Sequence, residues 1–150
     1  MTKIYLKRLL LIAMFFVAGC SENGPPSTKT YSDDAKFIQL SKKIEFLEQY
    51  VNFRRTYKDL DFIISFHNNS GGLVPGPSDW DIRIVAQIPK AEIELWTNGL
   101  HSISLPNIDW MKNLPGSIDY SGISTWFKSD NRLVGVDEGN AVIVYVNASM

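Results

Sequence analysis

Cysteine is all but missing: Cys20 is the only one among 150 residues, so no disulfide can form within the chain and stability has to come from packing. Histidine is nearly as scarce. His67 and His101 are the only imidazoles, and with no second thiol they offer no ligand spacing that would predict a metal or other cofactor. The nucleophile-elbow pattern G-x-S-x-G is absent; Gly122-Ile123-Ser124 begins it, but Trp126 stands where the second glycine belongs. Basic clusters are limited to the pairs Lys42-Lys43 and Arg54-Arg55. Nucleic-acid affinity needs a denser basic surface, which excludes DNA and RNA as expected partners. The longest apolar run is shorter than the roughly 20 residues of a membrane-spanning helix.

What the chain does have begins at its first residues. Lys3, Lys7 and Arg8 precede the apolar stretch from Leu9 to Val17, and Ala18-Gly19 follow as small residues. That order of charge, apolar run and small residues predicts a secretory signal. The residues Val17-Ala18-Gly19-Cys20 resemble the lipobox of bacterial lipoproteins. The resemblance implies cleavage before Cys20, a diacylglyceryl thioether on its sulfur, and a further fatty acyl chain such as palmitate on its amine. Two or more chains anchor a protein stably where one is marginal. Ser21 stands where aspartate commonly marks inner-membrane retention, which implies delivery to the outer membrane, facing the periplasm.

Three divisions are expected: a signal peptide over 1–19, a lipidated N-terminus and flexible tether over 20–31, and one domain over 32–150. The tether is rich in Ser, Gly, Pro and Thr and has no hydrophobic period. Lys3, Lys7 and Arg8 are three of the 15 basic residues, so the chain after residue 20 carries 12 basic against 16 acidic side chains, a net charge of −4.

Within the domain, Ser32-Asp33-Asp34 reads as a helix start. Phe37, Leu40, Ile44, Leu47 and Val51 follow at spacings of three and four, which predicts an amphipathic helix to about Phe53. Period-two alternation predicts strands over Asp61–His67 and Trp80–Ile88. A short helix between Pro89 and Gly99 and a helical turn within Asn107–Leu114 are expected next. The chain closes on a β-hairpin, Leu133–Asp137 with Ala141–Asn147, and Ile123–Phe127 fits a strand or a helical turn equally. The expected fold class is therefore α+β: an N-terminal amphipathic helix packed on a small, mostly antiparallel sheet with a C-terminal hairpin.

The carboxylate pairs Asp59 with Asp61, Asp79 with Asp81, and Glu92 with Glu94 read as solvated strand or helix faces. Trp80 and Trp96 fall at core-facing phases. Leu73 and Val74, at the tip of the Gly- and Pro-rich loop NNSGGLVPGPSD, are candidate partner contacts, because loops carried by rigid strands hold binding residues; Trp110 and Trp126 are candidates as well. An anchor, a short tether, a small acidic domain and no chemical constellation together predict a non-catalytic protein-interaction module of the envelope, of an accessory or toxin-immunity type. A glycan-binding module, which would expose two or more tryptophans on one face, and an envelope hydrolase are the alternatives.

Overall fold

The computed structural model describes residues 28–68, 79–114 and 116–148. Among them seven strands form one sheet, every neighbouring pair antiparallel. The strands are β1 (Thr28–Asp33), β2 (Asp59–Asn68), β3 (Asp79–Gln87), β4 (His101–Ile103), β5 (Thr125–Lys128), β6 (Arg132–Asp137) and β7 (Val142–Ala148), and their spatial order is β1-β2-β3-β7-β6-β5-β4. Among the described residues helix is limited to α1 (Leu40–Leu47) and α2 (Ile93–Thr97), with 3-10 turns at Asp34–Lys36, Lys90–Glu92 and Asp109–Asn113.

This corrects the expected fold class. The described chain is mostly a seven-stranded antiparallel sheet with two short helices, and no long N-terminal helix runs from Ser32 to Phe53. Ser32 and Asp33 lie instead in β1, opposite Ile64 and Ile63 of β2. Ladder hydrogen bonds to the otherwise open edge of β2 satisfy backbone groups that a helix start would leave orphaned. At the other end, the backbone N–H groups of Gln49 and Tyr50 turn back to the carbonyls of Phe46 and Leu47, three residues earlier, at 3.2 and 2.9 Å. That tightening ends α1 before Val51. Strand β1 also begins at Thr28, inside the stretch that reads as tether.

The sheet is covered on both faces. On the first face the register aligns Phe62, Ile84, Tyr145 and Val134 in one row and Leu60, Ala86, Ile143 and Val136 in the next. Leu47, Val51, Tyr57 and Trp96 close over these rows, with Leu40 and Ile44 half-buried beside them. Full burial of Leu47 contributes roughly 1.5–3 kcal/mol toward holding α1 in place. On the second face the row Asp61, Val85, Val144, Gly135, Trp126 is covered by Met111, Leu114 and Ile118 from the segment that connects β4 to β5. Burial on both faces explains why β7 is apolar in a continuous run and does not alternate.

Gly135 permits the close approach of Trp126 on the neighbouring strand. A Cβ there would lie 2.8 Å from atoms of the indole ring and 2.7 Å from Cγ2 of Ile123. The hairpin β6–β7 turns through Glu138–Asn140, and Ala141 takes a left-handed φ of 54° as it leaves the turn.

Candidate interaction surfaces

The connection from β4 to β5 spans residues 104–124; its described residues contain only one 3-10 turn, yet they are pinned at several points. Asn107 starts the turn by accepting the Asp109 N–H on its side-chain oxygen at 2.9 Å, the local bond that makes asparagine a turn former. The Trp110 indole N–H donates to the Asn107 carbonyl at 2.9 Å, and the Tyr120 hydroxyl donates to the Met111 carbonyl at 2.8 Å. The Arg83 guanidinium lies over the Trp110 ring, 5.6 Å from its centroid, while forking onto Asp81 at 3.1 and 2.6 Å. Met111 and Leu114 point into the core; Leu105 and Ile108 point out, at 67% and 38% exposure.

The far end of this crossing segment is held by Asp61. One carboxylate oxygen accepts the Ser117 hydroxyl at 2.7 Å, the Ser117 N–H at 3.0 Å and the Ile118 N–H at 3.3 Å. The other takes the Lys43 ammonium of α1 at 2.9 Å. Strand β1 stops at Asp33, opposite Ile63, so Asp59–Phe62 form the outer edge there. Past that edge Lys43, from a helix packed on the first face, reaches a carboxylate of the second. Burial alone would raise the Asp61 pKa, but the Ser117 and Lys43 hydrogen bonds outweigh it and hold the group below the usual carboxylate range. Asp61 is therefore a buried clasp and not the solvated residue its alternating position suggests.

A second surface lies on the first face, beyond the end of α1. A cleft of about 440 Å³ is lined by Gln49, Tyr50, Trp80, Ile82, Asn131 and Asn147. An adjoining hollow of about 190 Å³ shares Tyr50 and Trp80 and adds Ser32, Ile64 and Phe66. Phe66 and Trp80 are direct cross-strand partners with ring centroids 4.4 Å apart, and Tyr50 packs on Trp80 at 5.5 Å. Trp80 is thus a rim residue, 37% exposed, where its phase in the strand suggests core.

Of the candidate residues, Cys20, Leu73 and Val74 lie outside the described residues. Trp110 is half-buried on the crossing segment, and Trp126 is 1% exposed and belongs to the core. Trp96 is buried as its phase suggests. Among the described residues only Trp80 is an exposed tryptophan, short of the pair on one face that a glycan platform would need. Neither His67 nor His101 lines either cleft. The low pKa values of Asp119 and Asp137 come first from the backbone N–H groups of Ser121 and Asn140 that their carboxylates accept within tight turns. Sequence reasoning missed Leu105 and Ile108, whose only signal was two aliphatic residues beside Pro106 in a stretch without period. Among the described residues no three His, Cys, Asp or Glu side chains gather to hold a metal, and no helix is long and apolar enough to cross a membrane. No protein-family model, curated protein or solved structure matches this chain, so what these surfaces do is read from their own geometry.

Proposed function

We propose that this chain is a bacterial envelope lipoprotein, anchored through acylated Cys20 in the outer membrane and facing the periplasm, whose domain is a non-catalytic protein-interaction module of an accessory or toxin-neutralising type. The observation that carries the reading is the crossing segment. Loops of this length without regular structure are uncommon in compact domains unless they are functional, and this one is fastened by the Asp61 clasp while it turns Leu105 and Ile108 outward. A fastened loop offers its contacts with little ordering entropy left to lose on binding. Two aliphatic side chains, each contributing roughly 1.5–3 kcal/mol when fully buried, suit a protein partner with an apolar hollow. Their surroundings agree: Lys112 and Asp109 pair at 2.8 Å on the same turn and would form part of a polar rim.

A photoreactive residue placed at Ile108 in the full-length chain, in living cells, tests this directly, with the exposed turn residue Glu138 as the control site. A discrete protein adduct from position 108 that disappears in Leu105→Ser, with none from position 138, is the expected result. Equal adducts from both positions, or none from position 108, would refute it.

A further inference from the structure

We infer that the cleft walled by Tyr50 and Trp80 rests against the lipid bilayer that holds the anchor, so that the domain lies on the membrane surface through this end of its sheet. The inference depends on the reading of Cys20 as the acylated residue and concerns a surface separate from Leu105 and Ile108.

Position is the first argument. Thr28, the first residue of β1, stands opposite Asn68 in the β1–β2 ladder, and Phe66 and Trp80 form a pair only two residues further in. The chain therefore comes into the domain at the same end of the sheet as the cleft. Seven residues lie between Cys20 and Thr28, and the eight steps from one Cα to the next span at most about 29 Å when fully extended. A short leash fixed beside the cleft keeps that end close to the lipid. Tethering also raises the effective concentration of the surface, so weak contacts suffice.

Chemistry is the second argument. Tyr50 and Trp80 are 36% and 37% exposed, and each joins an apolar ring to one polar group, the combination that favours the headgroup level of a bilayer. Gln49, Asn131 and Asn147 supply carboxamides that donate to phosphate and carbonyl oxygens, and among the described residues the lining contains no carboxylate to be repelled by anionic lipid. Asp79 and Asp81 flank Trp80 in the chain, but strand alternation directs them to the opposite face. From Tyr50 the aromatic run continues through Phe46 to Phe37, at 5.2 and 5.0 Å, with the Lys36 ammonium 4.4 Å over Phe46 and Ile38 fully exposed beside it. The Lys36 cation thus extends the same surface. A saccharide suits it less well, because the Trp80 ring already packs against both Phe66 and Tyr50.

Tryptophan fluorescence of the lipidated full-length chain, reconstituted in phosphatidylethanolamine–phosphatidylglycerol vesicles, provides the test. With nitroxide-labelled lipid bearing its label near the headgroup, the parent should be quenched. Trp80→Phe should lose most of that quenching, whereas Trp110→Phe, altered on the opposite face, should keep it. Both variants should melt with the parent, as the measure that each is folded. Equal quenching in parent and Trp80→Phe would overturn the inference, as would an unquenched parent that carries radiolabelled fatty acid. A chain that takes up no fatty acid would instead overturn the anchor reading, and this orientation with it. Blue-shifted Trp80 emission on adding soluble peptidoglycan fragments, without any response to lipid, would overturn it in favour of a saccharide.

Discussion

Breaking the Asp61 clasp should be among the most damaging single changes to this domain, and the damage should depend on which partner is lost. Asp61 and Lys43 have side chains only 2% and 14% exposed. Removing Lys43 leaves the Asp61 charge in a poorly solvated place, which costs about 3–5 kcal/mol. Asp61→Ala orphans the Ser117 hydroxyl and the N–H groups of Ser117 and Ile118, at roughly 1–3 kcal/mol for each group left unsatisfied. Against a total domain stability of about 5–15 kcal/mol, Asp61→Ala should leave little folded protein. Lys43→Met keeps the Ser117 bonds and should cost about 3 kcal/mol, and Asp61→Asn, which keeps an acceptor for Ser117, should cost less than Asp61→Ala. In the double variant no charge remains to be stranded, so its loss should fall short of the summed single losses by roughly 1–3 kcal/mol. Urea denaturation of the four proteins at neutral pH measures that difference. Additivity to within about 0.5 kcal/mol would refute the claim that the two groups depend on each other. The pH dependence follows from the sign of the shift. Because the folded carboxyl has the lower pKa, its contribution is complete above the unfolded value of about 3.9 and is lost as pH falls from there through the folded value. Asp61→Asn should therefore flatten the stability curve below about pH 4 and leave its slope near neutrality unchanged.

Two further substitutions test the packing of the sheet. Gly135→Ala places a methyl against Trp126 and Ile123 at 2.7–2.8 Å, and overpacking of this kind should cost about 1–3 kcal/mol by thermal melting; adding Trp126→Phe should restore part of it, and an undiminished loss would show that the indole is not what the methyl meets. Ala141→Gly relieves a left-handed φ of 54° and should raise stability by about 0.5 kcal/mol once the greater freedom of glycine in the unfolded chain is subtracted; a loss of 1 kcal/mol or more would mean that burial of the alanine methyl outweighs the backbone relief.

Local pattern was legible wherever local pattern decides structure. Phe62, Ile64 and Phe66 announce β2 by alternation, and the β-branched run of β7 announces a buried strand, because each property belongs to the strand itself. The helix was over-read for the opposite reason. Phe37 and Val51 continue the spacing of Leu40, Ile44 and Leu47, yet they reach the same core from non-helical backbone, since β1 takes up Ser32 and Asp33 as the edge partner of β2. A strand of three residues such as β4 is too short to show any period. The Asp61 clasp was invisible because its partners lie 18 and 56 residues away in the chain, and a carboxylate at an alternating position carries no mark of the cation that will cover it. The outward turn of Leu105 and Ile108 depends on how Met111 and Leu114 pack on the sheet, so the sequence could suggest a loop there and nothing about its direction. Trp126 was read as a possible contact because the glycine that receives it sits nine residues away, on another strand.

The strand order has a consequence for how the domain is made. Strand β7 is the last of the seven in the chain and the central one in the sheet. Before it is synthesised, β1-β2-β3 and β4-β5-β6 are separate three-stranded halves, each with one edge awaiting it. A chain that emerges N-terminus first, from a ribosome or across a membrane, therefore cannot close its fold until Val142–Ala148 has appeared. Any product broken off before that point presents β3 and β6 as open edges, ready to pair with other chains.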